Sequence, residues 1–225
     1  MAVLDFKADA ERAFDAIRAG GVAIMPMDVG YSLIGGRPDA LMRIFDTKRR
    51  APSKLNAMLG NDAIARDLYR LGTRGWEIYE AITKDYDLPL GAVAPYQLGH
   101  PIFDNLDSEM IARSTKDGTL LMLLNAGGFH AEITRLSHAR QFALFGSSAN
   151  LSLSGTKFDG KDIEPEIKAI ADVIVDYGLM KYHSWRASST ILNLETLEVV
   201  RFGACYENLV SILARHFGVT LPPRH

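Results

Sequence analysis

The sequence is poor in the residues that build disulfide and zinc sites. Its 225 residues include one cysteine, Cys205, and six histidines. A single cysteine excludes an internal disulfide framework and a cysteine-based zinc site. The histidines show no HExxH or other metal-ligand spacing, so the sequence predicts no protein-held metal.

Long apolar runs are also missing. No run approaches the roughly 20 residues that a membrane-spanning helix needs. The first fourteen residues, MAVLDFKADAERAF, carry charges throughout, so we do not expect a signal peptide. Together with the scarcity of cysteine, these observations predict a cytoplasmic protein with no membrane partner.

Charge of neither sign dominates. The chain has 25 Lys and Arg against 27 Asp and Glu, a formal net charge of −2. The whole protein therefore has no general attraction for nucleic acid, and any anion site must be local. We find no repeat, linker or low-complexity tract, which favours one domain over 1–225.

Helical and strand patterns alternate along the chain. Apolar residues recur at helical spacing in some segments and form short runs bounded by Gly or Pro in others. We expect helices at 9–19, from 38 to before 52, at 62–71, 74–84, 131–139, 163–171 and 206–217, and strands at 22–25, 31–34, 90–96, 119–124, 142–145, 173–175, 189–193 and 198–201. The last two strands favour an antiparallel hairpin, and 98–118 is expected to be irregular. The fold class is therefore α/β, with helices packed on a twisted sheet of parallel and antiparallel strands.

Basic residues cluster in the segment KRRAPSK at 48–54, where four cations lie within seven residues. Cations near a helix C-terminus complement the helix dipole and are usually solvated. The same residues form an anion clamp if they point into a cleft, with Arg as a forked donor and Lys as a point charge. The residues alone leave both interpretations open.

Small polar residues follow the predicted strand 142–145, in the segment GSSAN at 146–150. Ligands of α/β sheets bind beyond the carboxyl ends of strands, where hydroxyls and an amide suit a phosphate or a carboxylate. The alternative is an ordinary turn with a helix cap. Asn150 occupies the place of the last glycine in a G-x-S-x-G elbow, so that nucleophile motif is excluded.

The segment at 155–162 has the G-x-x-x-x-G-K spacing of a phosphate-binding P-loop. Asp162 occupies the position of the magnesium-binding Ser or Thr, and Asp159 adds a negative charge where phosphates would lie. We therefore interpret it as a surface loop. The sequence also lacks the G-x-G-x-x-G pattern of dinucleotide sites.

Five short segments, taken in order, resemble the YrdC-like family of threonylcarbamoyl-adenylate synthases. They are GGVAIMPMDVGYSL (20–33), KRRAPSK (48–54), GSSANLS (146–152), SSTILNL (188–194) and VVRFGA (199–204). The most specific combination is K-x-R followed by S-A-N. The resemblance implies a twisted mixed sheet with a large, positively lined cleft.

The resemblance also implies a reaction, in which L-threonine, bicarbonate and ATP give threonylcarbamoyl-adenylate and pyrophosphate for tRNA modification. ATP with Mg²⁺ is then a substrate, and tRNA or tRNA-modification proteins are possible partners. The positions that match the reacting centre of the family are Lys48, Arg50, Ser148 and Asn150. Further matched positions, expected to contact ATP or substrate, are Tyr31, Lys54, Ser147, Ser189, Thr190 and Arg201.

Two segments depart from the family pattern. Met27 and Val29 stand where the family usually has threonines, and the stretch LLMLLNAGG (120–128) lacks an arginine that the family tends to carry. A site that loses polar partners for a substrate can reject that substrate by a large factor. Two alternatives follow: an enzyme of the same fold with another amino acceptor or carbamoyl donor, and a nucleotide- or RNA-binding module without chemistry.

Overall fold

The computed structural model of the protein describes residues 4–49 and 55–224. Helices and strands alternate through both ranges. The α-helices are α1 (Phe6–Arg18), α2 (Pro38–Thr47), α3 (Asp62–Leu68), α4 (Thr73–Glu80), α5 (Ser108–Ala112), α6 (Gly128–Ala139), α7 (Pro165–Ala169) and α8 (Tyr206–Phe217). The strands are β1 (Ala23–Met25), β2 (Ser32–Gly35), β3 (Ala57–Leu59), β4 (Leu90–Pro95), β5 (Thr115–Lys116), β6 (Thr119–Leu124), β7 (Phe145–Ser148), β8 (Val173–Ile174), β9 (Ile191–Asn193) and β10 (Val199–Arg201). No helix in these ranges is long and apolar enough to cross a bilayer.

The ten strands form one sheet in the order β10-β9-β4-β6-β3-β7-β2-β1-β8, with β5 paired to β6. Three pairs are parallel, namely β1 with β8, β3 with β6, and β4 with β9. The other pairs are antiparallel, including the predicted hairpin of β9 and β10. The α/β class with a mixed sheet is therefore confirmed.

The two faces of the sheet have different surroundings. Successive side chains of a strand point to opposite faces, and in β6 Leu120, Met122 and Leu124 are buried in the main core. The alternate residues of β6, Leu121 and Leu123, line an open depression on the other face, although Leu123 is itself largely buried. The same alternation continues in neighbouring strands, so one face of the sheet is left accessible to a ligand.

The predicted strand at 142–145 is displaced along the chain. Phe142 and Ala143 belong to the connection after α6, because the Ala143 N–H is bound by the carbonyl of Ile102 and the side chain of Asn105. Pairing with β2 begins at Phe145 and continues to Ser148. Ser147 and Ser148 therefore lie in strand β7 rather than in a loop beyond it.

The region at 98–118, expected to be irregular, contains a short helix and a hairpin. Asp107 caps α5, because its side chain accepts a hydrogen bond from the Met110 N–H. Asp117 and Gly118, both with positive φ, form the turn between β5 and β6. The three-residue strand β3 was also not predicted, since three residues carry too little periodicity to detect.

Candidate functional site

The open face of the sheet carries a cleft of about 770 Å³. It extends across β2, β7, β3, β6, β4 and β9 to the edge strand β10, and the hairpin of β5 and β6 contributes Lys116 and Asp117 to its lining. A cavity of this size suits a nucleotide or another ligand of similar bulk.

The floor of the cleft is apolar. Leu59, Leu123, Gly91 and Ile191 are successive partners across β3, β6, β4 and β9 and form a row perpendicular to the strands. A side chain at Gly91 would have its Cβ 2.8 Å from Cγ1 of Ile191, so only glycine fits beneath that side chain. The row therefore forms a smooth hydrocarbon surface in the middle of the cleft.

One end of the cleft carries hydroxyl groups. Ser32 of β2 and Ser148 of β7 are opposite each other in the antiparallel ladder, and both line the cleft with Ser147. The Ser148 hydroxyl donates to Oδ1 of Asn150. Ser147 pairs with the fully buried Leu33, so its side chain points to the opposite face, and its Oγ is buried with no hydrogen-bond partner among the described residues. The hydroxyls that this end offers to the cleft are those of Ser32 and Ser148.

Lys48 lies directly behind this polar end. It follows the last residue of α2, and its side chain is only 3% exposed. Its ammonium donates to the carbonyl oxygens of Ser148 and Asn150, and its own carbonyl accepts from the Ser152 hydroxyl at 2.6 Å. The structure thus brings Lys48 together with Ser148 and Asn150, but Lys48 is not on the cleft lining.

Asn150 also acts within its own segment. It is 6% exposed, accepts from the Ser148 hydroxyl through Oδ1, and donates from Nδ2 to the carbonyl of Leu151. These contacts fix the turn that follows β7. Lys48 and Asn150 therefore fix the conformation of the turn, and Ser148 lines the cleft.

The segment after this turn is anchored by Glu164. Its carboxylate accepts from the Ser154 hydroxyl at 2.6 Å and from the Lys157 ammonium at 2.9 Å, and its side chain is 18% exposed. Burial alone would raise the pKa of Glu164, but the hydrogen bonds from Ser154 and Lys157 outweigh it and lower the pKa to about 2. The anchor is therefore charged at every physiological pH.

The opposite end of the cleft is formed by Ser189 and Arg201. The Arg201 guanidinium donates from Nε and Nη2 to the carbonyl of Ser189, at 3.2 and 2.7 Å. Arg201 is also the partner of Ile191 in the hairpin, which extends the row of floor residues to a cation. Both predicted residues line the cleft.

Thr190 does not have the predicted role. Its side chain is fully buried, its Oγ1 donates to the carbonyl of Ala204 at 2.9 Å, and the same oxygen accepts from the Gly203 N–H at 3.2 Å. The reason is strand alternation, because Ser189 and Ile191 face the cleft and Thr190 faces away from it. Thr190, which directly precedes β9, ties it to the segment after β10 and is not part of the cleft lining.

Tyr31 is likewise outside the cleft. Its side chain is fully buried, its hydroxyl donates to Oδ1 of Asp176 at 2.6 Å, and the hydroxyl accepts from the Tyr177 N–H at 3.0 Å. Burial and the neighbouring Asp176 raise the pKa of Tyr31. The expected substrate contact is therefore corrected to a structural tie between β2 and the segment at 176–178.

The middle of the first matched segment, at 27–30, is also covered by protein. Met27 and Val29 are 1% exposed and belong to the core. Gly30 has φ +113°, and a Cβ there would lie 2.3 Å from Cγ2 of Thr156, so the segment at 156–158 packs directly on it. The two apolar replacements therefore fill protein interior and do not line the cleft.

The described part of the cleft lining is electrically balanced. Its cations are Lys116 and Arg201, and its anions are Asp117 and Glu198. Arg50 and Lys54 lie outside the described residues, so the expectation of a positively lined cleft depends on them. Within 4–49 and 55–224, no group of three or more His, Cys, Asp or Glu is arranged to hold a metal ion.

Several lining residues were not predicted from the sequence. Ser32 and Asn193 lie within the matched segments 20–33 and 188–194 but were not singled out, Glu198 lies outside the matched segments, and Lys116 and Asp117 lie in the region expected to be irregular. The alternation of β2 and β9 could have placed Ser32 and Asn193 on the same face as Ser148 and Ile191. The order of strands in the sheet, however, is not encoded in local periodicity.

A comparison with protein families identifies the chain. The model of the Sua5/YciO/YrdC family, described as "Telomere recombination", matches residues 15–203. The chain belongs to this family. No curated protein sequence matches it.

Solved structures of low sequence identity show the same fold. A hypothetical protein from Streptococcus mutans superposes with a TM-score of 0.73 at 16% identity, over 93% of this chain and 92% of that one. E. coli YciO gives 0.66 at 17%, over 88% and 90%. P. abyssi Sua5 complexed with L-threonine gives 0.67 at 17%, over 85% of this chain and 52% of that one. The chain thus spans most of YciO but about half of that Sua5.

Proposed function

We propose that the protein is an ATP-dependent, adenylate-forming enzyme resembling threonylcarbamoyl-adenylate synthase. The observation that carries the proposal is the arrangement around Ser148. A buried lysine and an asparagine from distant segments fix the turn that presents this hydroxyl to a nucleotide-sized cleft. Membership of the Sua5/YciO/YrdC family and the likeness to a Sua5 complexed with L-threonine support the same reaction class.

The proposed chemistry needs no covalent nucleophile from the protein. The amine of an amino acid and bicarbonate give a carbamate and water. A carbamate oxygen then attacks the α-phosphorus of ATP, and the bond to the β-phosphate oxygen breaks to release pyrophosphate. Such a displacement depends on positioning and on stabilisation of developing charge.

The cleft residues supply these two requirements in the proposal. On ligand binding the Ser148 hydroxyl exchanges Oδ1 of Asn150 for an oxygen of the α-phosphate or the carbamate, while the Lys48 ammonium and the Asn150 N–H hold the carbonyl of Ser148 in place. Arg201 supplies positive charge at the other end of the cleft. Removing one preorganised donor from a centre of this kind typically lowers the rate by about 10²–10³.

Mg²⁺ enters as part of the ATP substrate in this proposal. Mg²⁺ usually binds nucleotide phosphates and water with one or two protein carboxylates. It would neutralise part of the triphosphate charge. Arg50 and Lys54 are proposed to contribute the remaining cations, on the strength of the resemblance in 48–54.

A place in tRNA modification is proposed at the level of the product. Threonylcarbamoyl-adenylate would be passed to an enzyme that modifies adenosine in tRNA. Direct RNA binding has less support, because the net charge is −2 and the described lining of the cleft is balanced.

Pyrophosphate release tests the proposal. The protein is mixed with ATP, Mg²⁺, bicarbonate and L-threonine or another amino acid, and pyrophosphate is followed with and without bicarbonate. We expect release that requires bicarbonate and an amino acid. Ser148→Ala should lower the rate at least tenfold, and Ser108→Ala, at the exposed start of α5, should leave it unchanged. Absence of both pyrophosphate release and ATP binding by calorimetry would reject the function.

A further inference from the structure

Three buried polar side chains have no hydrogen-bond partner among the described residues. Asn56 is fully buried and Ser114 is 1% exposed. Both side-chain atoms of Asn56, Nδ2 and Oδ1, are unpartnered, and so are the buried hydroxyl oxygens of Ser114 and Ser147. A buried polar group without a partner keeps the full cost of losing its water, so such groups are rare in native proteins. Four of them in one part of the fold therefore indicate a bound ligand.

Asn56 and Ser147 lie side by side on the face of the sheet that points away from the cleft. Strands β3 and β7 pair Ala57 with Gly146, so the next step along the ladder places Asn56 opposite Ser147. Ala57 lines the cleft and Asn56 does not, as the alternation of side chains along a strand requires. Facing side chains of two antiparallel strands have Cβ atoms about 5 Å apart, so a small ligand can contact both.

The backbone of Asn56 brings Ser114 to the same place. The Asn56 N–H donates to the carbonyl of Arg113 at 3.3 Å, and Ser114 is the next residue of the chain. The start of β3 therefore lies against the segment that joins α5 to β5. Asn56 has Ser147 on one side, in the neighbouring strand, and Ser114 on the other.

The rest of this face is apolar. Leu33, which pairs with Ser147, and Met58 and Phe145, which pair with each other, are at most 1% exposed. The amide of Asn56 offers donors at Nδ2 and an acceptor at Oδ1. A cation would leave Nδ2 unpaired and an anion would leave Oδ1 unpaired, whichever way the amide is oriented. A neutral molecule that both donates and accepts satisfies the two atoms, and water is small enough for a closely packed interior.

We propose that Asn56, Ser114 and Ser147 form an internal water-binding site. At least one ordered water molecule bonds the Asn56 amide and the two serine hydroxyls, which gives it the roughly three partners that are typical of buried water. This water joins β3, β7 and the segment after α5 directly behind Ser148. Ser147, which the family resemblance assigned to a ligand in the cleft, binds the internal water instead. The inference does not depend on the proposed function, because the site faces away from the cleft.

Replacing each serine by alanine distinguishes a hydrated site from a dry one. If the hydroxyls bind water, Ser114→Ala and Ser147→Ala each lose a hydrogen bond, and the equilibrium constant of unfolding should rise about fivefold. If the site is dry, each substitution removes an unpaired hydroxyl and the constant should fall. Ser137→Ala is the matched control, because this fully buried hydroxyl donates to the carbonyl of Phe142 at 2.7 Å and its loss should raise the constant. Urea unfolding measures all three, and a constant that is unchanged or lower in both Ser114→Ala and Ser147→Ala would overturn the inference.

A crystal structure of the unaltered protein shows the site directly and does not depend on the folding of variants. We expect a water molecule within about 3.2 Å of a side-chain atom of Asn56 and of the hydroxyl of Ser147 or Ser114. An Asn56 amide that is bonded to protein atoms alone, or a metal ion in place of the water, would overturn the inference.

Titration with a non-hydrolysable ATP analogue keeps this inference separate from the proposed function. Weaker nucleotide binding by Ser147→Ala with unchanged stability would mean that the hydroxyl faces the ligand, and it would reject the water site without rejecting the enzyme. If both serine variants are destabilised as expected but the unaltered protein releases no pyrophosphate and binds no nucleotide, the proposed function is rejected and the water site stands.

Discussion

The ammonium of Lys48 donates to the main-chain carbonyl of Asn150, which is 102 residues further along the chain. It also donates to the carbonyl of Ser148. One side chain at the end of α2 therefore fixes both sides of the turn at the polar end of the cleft. The sequence analysis expected Lys48 and Asn150 to contact the substrate. In the structure, their hydrogen bonds hold Ser148, the last residue of β7, and the turn that follows it.

Lys48→Met should destabilise the protein and weaken nucleotide binding together. The variant keeps most of the side-chain volume but removes the lysine donor from the carbonyls of Ser148 and Asn150, of which Ser148 keeps only the Asn150 N–H, and this costs about 2 kcal/mol if they stay buried. Urea unfolding and calorimetric titration with ATP measure the two effects. Lys161→Met is the control, because Lys161 is 76% exposed and pairs with Asp159 at the surface. A loss of ATP affinity with unchanged stability would show that Lys48 contacts the nucleotide directly.

Substitutions at Ser189 and Thr190 should affect different properties, ligand binding at Ser189 and stability at Thr190. Thr190→Val removes the hydrogen bonds to Ala204 and Gly203 in the interior and should lower stability by about 1–2 kcal/mol with little change in ligand affinity. Ser189→Ala removes a hydroxyl at the cleft and should weaken ligand binding with little change in stability. Thermal unfolding and ligand titration on both variants check this. If Thr190→Val is as stable as the original protein but binds the ligand more weakly, Thr190 contacts the ligand.

His130 should control stability in mild acid. Its Nε2 is 3.1 Å from the carbonyl of Leu123 and its Nδ1 accepts from the Ala126 N–H at 3.4 Å, so the ring is neutral with the proton on Nε2. Burial lowers the pKa of His130 to about 4, from 6.5. As the pH falls from 6.5 to 4, the unfolded chain takes up this proton first, so the free energy of unfolding decreases by up to about 3 kcal/mol.

Urea unfolding of His130→Gln between pH 7 and pH 4 tests this origin. The variant should be less stable than the original protein at pH 7, because one ring nitrogen loses its partner, but its stability should change less with pH. His138→Gln, at the surface beside Asp67, is the matched surface variant. An unchanged slope in His130→Gln would assign the acid sensitivity to other groups.

Glu164 should affect stability at a lower pH than His130 does. Its pKa in the folded protein is about 2 and the ordinary value is 4.5. Because the folded pKa is lowered, the stabilisation is complete above pH 4.5 and is lost as the pH falls towards 2. Glu164→Gln should therefore be less stable than the original protein at pH 7, and the difference should shrink across that range. Unfolding curves of Glu164→Gln and of the exposed control Glu166→Gln measure it, and a constant difference would contradict the assignment.

Local patterns predicted most of the elements, because amphipathic stripes and Gly or Pro boundaries are local. The run TLLMLL was expected as a strand at 119–124, and β6 has those bounds. The displacement of β7 to Phe145–Ser148 could not be predicted, because its start depends on Asn105 and Ile102 binding Ala143 from another segment. The alternation of side chains in the extended segment leading into β9 would have separated Ser189 from Thr190, but motif matching treated the two hydroxyls alike.

The cleft as a whole was less predictable than its motifs. The resemblance placed Ser148, Ser189 and Arg201, which all line the cleft. It gave no information on floor residues such as Leu59, Val93 and Leu121, which lie outside the matched segments on strands whose order in the sheet is set by tertiary packing. Tyr31 matches the family pattern, but its side chain is buried in the interior, so a matched position need not face the cleft.

A crystal structure with Mg²⁺ and a non-hydrolysable ATP analogue tests the central claim most directly. The account predicts a triphosphate in the cleft, with a phosphate oxygen within 3.2 Å of the Ser148 hydroxyl and Lys48 still bound to the carbonyls of Ser148 and Asn150. A nucleotide bound away from this face of the sheet, or an empty cleft at saturating analogue, would contradict it.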